Sequence, residues 1–170
     1  MKIVGLEGTL LRTRDFALRS DPPLTVRLTA LPLGFLEKLR MKMPAPVPPT
    51  VTLKSMTPKG TETVMVRDES DSAQANEFRR KDVEDDLAVT AAIVREGLRN
   101  DENVTWTAQI DAHKGDWRAC YLATYEELVQ VGFTGGEVSR LSKAIAELTS
   151  LDDEGLAKAT GFLLVDSPAH

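Results

Sequence analysis

The sequence predicts an α+β fold, a small antiparallel β-sheet followed by a mostly α-helical C-terminal half. Three observations carry this. Residues 24–30, LTVRLTA, alternate apolar and polar, the period of a half-buried strand. Residues 50–67 read as two strands, VTLKSM and ETVMVR, around Thr57-Pro58-Lys59-Gly60. Proline there presets one turn dihedral and glycine accepts positive φ, so a β-hairpin has a mechanism. From residue 73 onward apolar residues recur at spacings of three and four, the helical period.

Residues 1–23 have weak periodicity and end in Asp21-Pro22-Pro23, which reads as an irregular lead-in with a short strand at 2–6. After the strand at 24–30, Pro32 suits the first turn of a short helix, LPLGFLEKLRM, with Leu36, Leu39 and Met43 on one face. MPAPVPP (43–49) ends it, and its prolines favour a stiff extended connector. The Pro46/Pro49 spacing also fits a ligand of a proline-binding domain, but so short a pattern is better explained by the connector. In the hairpin, Val51 and Leu53 share a face with Val64 and Val66. Two strands alone are marginal, so the hairpin is expected to join the strand at 24–30 in one sheet packed on a helix.

Ser70 or Ser72 then caps a helix over 73–99, with Val83, Leu87, Ala91, Val94 and Leu98 inward. Arg79-Arg80-Lys81-Asp82 reads as a solvated face of that helix. Asn100-Asp101-Glu102-Asn103 breaks it. A further helix is expected over 116–131, with Trp117, Tyr121 and Leu128 inward and Gly132 as its stop. Thr134 and Glu137 form a capping box. The helix behind it carries Val138, Leu141, Ile145 and Leu148 as one stripe. A short helix from Asp152 to about Ala159 and a flexible tail at 166–170 complete the reading. The implied organisation is an N-terminal segment, 1–49, and a hairpin-plus-helical domain, 50–165.

Charge and composition narrow the function. The net charge is −5, unevenly placed: residues 1–43 hold eight basic and four acidic residues, and the remainder 13 basic and 22 acidic. An acidic body argues against general nucleic-acid binding, which draws its affinity from a basic face. The opening residues lack the long apolar core of a signal peptide, and no window is apolar enough for a membrane helix. With Cys120 as the one cysteine, no intrachain disulfide forms, which suits a reducing, cytoplasmic compartment. The expectation is therefore no membrane partner and no nucleic acid.

The chemistry of catalysis is sparse. His113 and His170 are the two histidines, so Cys120 with His113 is the one nucleophile–base set, and Cys120 reads better as a small core residue. Two such residues do not close a zinc site. Asp82, Glu84, Asp85 and Asp86 are neighbours on a helix and point in different directions. Gly132, Gly135 and Gly136 lack the Lys-Ser/Thr ending of a phosphate loop. No catalytic residue, metal or cofactor is expected, and the chain reads as a non-enzymatic protein-interaction protein.

The order of features over about 83–160 resembles the tail assembly chaperones of long-tailed bacteriophages. An Ala/Val-rich helix, DLAVTAAIVREGLR, is followed by a polar break, NDENVTW. A helix with Trp117 leads to YEELVQVGF, and FTGGEVSRLSKAIAELTSL comes last. The hairpin ahead of them is similar to the strand, glycine turn, strand opening of that family, whereas residues 1–49 depart from it. The resemblance implies a protein that coats the tape-measure protein, helps recruit the tail-tube protein, binds through apolar helix faces and forms homo-oligomers. The expected partner surface is Val138, Leu141, Ile145 and Leu148 with Leu156, Phe162 and Leu163. A structural adaptor or minor component of a phage tail or related particle is the alternative reading.

Overall fold

The computed structural model describes residues 13–57 and 60–149. Among these residues the architecture is α+β: two separate two-stranded antiparallel sheets and four α-helices, with the second half mostly helical. The strands are β1 (Thr13–Ser20), β2 (Pro23–Thr29), β3 (Thr50–Thr57) and β4 (Gly60–Arg67). The helices are α1 (Phe35–Lys42), α2 (Ala73–Gly97), α3 (Trp117–Gln130) and α4 (Gly135–Thr149).

The strand expected at 24–30 is present as β2, but it does not join the 50–67 hairpin. It pairs instead with β1, in the stretch read as irregular, with Phe16 opposite Val26 and Arg14 opposite Leu28. A bulge between Ala17 and Arg19 shifts the register. Phe16 and fully buried Leu18 keep the two-residue period, but a pair of apolar residues between polar Thr13–Asp15 and Arg19–Asp21 is too short a run to announce a strand. The expected strand at 2–6, the last helix and the tail at 166–170 lie outside the described residues.

The α-helix boundaries follow their caps. Ser72 accepts from the Ala75 amide at 3.1 Å and starts α2, and Asp116 accepts from the Ala119 amide at 3.0 Å and starts α3. Each satisfies one backbone donor that the first helical turn leaves open. Gly132, at φ 93°, follows the end of α3, a conformation that carries little penalty only for glycine. The capping box at α4 is complete: Thr134 Oγ1 accepts from the Glu137 amide at 3.2 Å, and Glu137 accepts from the Thr134 amide at 2.8 Å. The expected helix at 32–43 begins later, at Phe35, behind a left-handed Gly34.

The core centres on the second half of α2. Ala88, Val89, Ala91, Ala92, Ile93, Val94 and Leu98 are all buried there, against Tyr121 and Leu128 of α3 and Val138, Leu141 and Ile145 of α4. Leu18, Val26 and Leu28 of the first hairpin, with Leu39 and Met43 beside α1, close the other sides. Val83, expected inward, is exposed. The first turns of α2 outrun the body, and only Ala75 and Phe78 are buried there. Glu77, Arg80, Lys81 and Glu84 form a ladder of exposed ion pairs along that face, which holds the Glu77 carboxyl down at about 2 through hydrogen bonds from Arg80 and Lys81.

Small residues let α4 approach α2 closely. A Cβ at Gly97 would lie 2.3 Å from Ile145 Cδ1, 2.6 Å from its Cγ1 and 3.0 Å from its Cγ2. The whole branched side chain blocks the position, so moving one terminal methyl does not relieve it. Alanine ordinarily gains about 1 kcal/mol over glycine inside a helix, but overpacking costs about 1–3 kcal/mol. Gly97→Ala is therefore expected to lower the urea-unfolding free energy by up to about 2 kcal/mol, and Ile145→Val in the same chain to recover part of the loss.

Candidate interaction surface

Of the residues expected to face a partner, Val138, Leu141 and Ile145 are buried in the chain's own core, and Leu148 is partly buried against it. These side chains are held by α2 and are not offered to solvent. The correction has a plain cause: one apolar stripe per helix is what a helix of this core needs for itself. Leu156, Phe162 and Leu163 lie outside the described residues.

The one nucleophile–base candidate does not form an accessible reactive set. Cys120 is fully buried on α3. Burial pushes its thiol pKa up, and the neighbouring Arg95 offsets this only in part, so the thiol stays protonated, the unreactive form. Its surroundings are structural. Arg95 donates to the Ala108 carbonyl at 2.8 Å, to Thr124 Oγ1 at 3.1 Å and towards Cys120 Sγ at 3.7 Å. His113 sits in a 3₁₀ turn, Asp111–His113, before α3. Among the described residues, no group of three or more His, Cys, Asp or Glu is arranged to hold a metal ion. No described helix is long and apolar enough to cross a membrane.

The acidic run on α2 divides by direction. Asp85 is turned inward with 3% of its side chain exposed. Arg40 of α1 donates to its Oδ2 at 2.5 Å, and Arg118 of α3 donates to its Oδ1 at 2.7 Å. Arg118 also donates to the Pro44 carbonyl at 2.7 Å, which ties the start of the proline-rich connector to the same point. Lys42 lies over the Trp117 ring at 3.7 Å. Asp85 thus joins three helices. Asp86 faces outward enough to stay partly exposed, and desolvation with the nearby Asp82 and Asp85 charges raises its pKa.

The hairpin expected to join the strand at 24–30 in one sheet packed on a helix instead forms a sheet of its own. Beyond each other, β3 and β4 make only sparse contact with the body. At the root, the Asp68 amide donates to the Pro49 carbonyl at 2.8 Å, and Arg67 stacks over Phe78 at 4.9 Å. The pairing sets Val51 opposite Val66 and Leu53 opposite Val64, so these four share one face. Leu53 is 54% exposed and Val64 is 44% exposed. Thr52, Lys54, Thr63 and Met65 form the other face, with Met65 exposed. The hairpin therefore has one aliphatic side and one mostly polar side, and the aliphatic one is about half exposed at Leu53 and Val64 and more covered towards its root at Val66. The alternation was legible in the sequence. What it could not say is that the aliphatic face stays half exposed.

The long segment between α2 and α3 is strapped down by one carboxylate. Glu127 accepts from the Thr107 amide at 3.0 Å, from the Ala108 amide at 2.5 Å and from the Thr107 hydroxyl at 2.7 Å. Burial acts to raise its pKa, but these hydrogen bonds and Arg95 outweigh it, and the net effect is lower.

Two outcomes are expected. Asp85→Asn leaves Arg40 and Arg118 without their charge partner and should cost about 2–4 kcal/mol in chemical denaturation, as breaking a buried pair does. Glu127→Gln should cost about 1–2 kcal/mol at neutral pH. Because the folded pKa of Glu127 is depressed, its contribution is present above the unfolded value of about 4.3 and lost as pH falls through the folded value. The melting-temperature gap between native and Glu127→Gln proteins should therefore close on acidification below about pH 4. No family model, curated protein or solved structure matches this chain.

Proposed function

We propose that this chain is a non-enzymatic protein-interaction protein, a tail assembly chaperone of the long-tailed phage type that binds the tape-measure protein, recruits the tail-tube protein and acts in the host cytoplasm. The observation that carries the reading is the β3–β4 hairpin, sparsely tied to the body, with Val51, Leu53 and Val64 exposed on its aliphatic face. A two-stranded ribbon with an aliphatic face is marginal by itself and gains stability from a partner that covers it. An amphipathic helix laying its apolar stripe on that face is the mode that suits a long helical client. The order of helices and breaks over 83–160, similar to that family, supports the same reading. The working surface moves accordingly from the α4 stripe to the hairpin.

A structural adaptor of a phage tail would use the same face. The two differ in fate: a chaperone leaves before the particle is complete, and an adaptor is present in purified particles at fixed stoichiometry. Mass spectrometry of particles separates them.

Covering half-exposed Leu53 and Val64 is worth on the order of 1 kcal/mol each. Leu53→Glu with Val64→Glu adds a desolvated charge to that loss. The double variant is expected to keep its circular dichroism and melting temperature while binding to co-expressed tape-measure protein weakens at least tenfold, on the order of 1.4 kcal/mol or more. Met65→Glu, on the other face, should bind like the native chain. Equal capture of the client by the native and double-variant proteins would remove the hairpin from the function.

A further inference from the structure

Most arginines in the described chain have a hydrogen-bonding partner that uses their charge. Arg19 pairs with Glu137 at 2.8 Å and Arg27 with Asp15 at 3.2 Å. Arg40 and Arg118 share Asp85, Arg79 meets Asp71, and Arg80 and Arg99 meet glutamates on their own helix. Arg67 lies over Phe78 without a carboxylate partner among the described residues, and Arg14 and Arg140 differ from all of these in meeting at one ring. They come from different elements, β1 and α4, and both are exposed. Their guanidinium carbons lie 5.9 and 5.8 Å from the centre of the same ring, Phe16. No carboxylate among the described residues pairs with either.

The nearest acid on α4 is already committed. Glu137, three residues before Arg140, accepts from the Thr134 amide at 2.8 Å and pairs with Arg19. Each guanidinium is drawn to the ring through its charge, but this contact leaves the N–H forks of both arginines without a carboxylate among the described residues. The ring holds the two guanidinium carbons within about 12 Å of each other, the reach of two to four residues of extended chain at ~3.3 Å per residue. Each guanidinium offers a planar fork of N–H donors that matches a carboxylate. Two guanidiniums are too few to hold an extended polyanion such as nucleic acid, whose affinity comes from many phosphate contacts, and the chain as a whole carries a net charge of −5.

We infer that Arg14, Phe16 and Arg140 form a second docking surface, on the β1–α4 seam, for an acidic peptide segment of a partner protein. Two carboxylates of the segment engage the two forks, and Phe16 supplies an apolar floor between them. This surface is independent of the β3–β4 face in residues and in chemistry, so it stands or falls without the client proposed above.

Fluorescence anisotropy with a short labelled Asp/Glu peptide, compared with its Asn/Gln counterpart, tests the assignment on the full chain. The acidic peptide is expected to bind and the neutral one not. Binding should weaken roughly tenfold in Arg14→Gln/Arg140→Gln and fall as salt rises, as for exposed charges. Arg27→Gln, an exposed arginine that already has a carboxylate partner, controls for general charge and should bind like the native protein. Arg140→Gln alone, on an exposed helix position, keeps the test open if the double variant folds poorly, and should show part of the loss. Equal binding by the double variant, an equal loss in Arg27→Gln, inorganic phosphate competing as well as the peptide, or no binding to the native chain would each overturn it. So would salt-sensitive self-association of the native protein that the double variant lacks, because the occupant is then a second copy.

Discussion

One carboxylate organises the body. Asp85 sits on α2 where that helix leaves the core, and its two oxygens are divided between Arg40 of α1 and Arg118 of α3. Beside it α1 is fastened by buried Leu39 and Met43, by partly buried Phe35 and Leu36 and by Lys42 over Trp117, while the connector that follows is proline-rich and without regular structure. The same Arg118 reaches the Pro44 carbonyl, so the direction in which the chain leaves α1 is set at this point as well. Desolvating a carboxylate is costly, and two guanidiniums with good geometry offset that cost. The pairing therefore sets orientation more than it adds stability: it says which face of α1 meets α2 and where β3 begins.

Polar side chains do similar positioning work around the rest of α2. Arg95 and Glu127 hold the segment between α2 and α3 through backbone carbonyls and amides. Asp101 accepts from the Arg27 amide at 2.6 Å and so ties β2 to the end of α2. Leu31 donates to Thr149 Oγ1 at 3.0 Å at the far end of α4. These bonds link positions far apart in sequence, and each satisfies a backbone group at the edge of a strand or in a loop. The helices supply the apolar volume and the charged residues supply the registration.

Local signals in the sequence were the ones that could be read. Ser72, Asp116, Thr134, Glu137 and Gly132 act within four residues of themselves, and they mark helix ends wherever the tertiary fold takes the helix. The alternation in β2, β3 and β4 is equally local. What could not be read is which ribbon pairs with which, because partner choice depends on side chains remote in sequence, and β1 has only Phe16 and Leu18 as inward apolar residues to mark it. The apolar stripe of α4 was legible as a stripe, but a stripe is the same pattern whether it faces a core or a partner. Asp85 within an acidic run looked like solvated surface. Only its pairing with Arg40 and Arg118, on other elements, sets it apart from Asp82 and Asp86.

The root of the β3–β4 ribbon is narrow: the bond from Asp68 to Pro49 closes the ribbon on itself, and the stacking of Arg67 on Phe78 ties it to α2. A unit joined so thinly to its neighbour shares little cooperativity with it. Its amide protons can exchange with solvent through local opening while those of α2 wait for global unfolding. Insertions or altered residues along the ribbon then leave the helical body standing. In a lineage under pressure to track a changing partner, that separation lets one part diverge quickly while the other stays under the slow constraint of its packing.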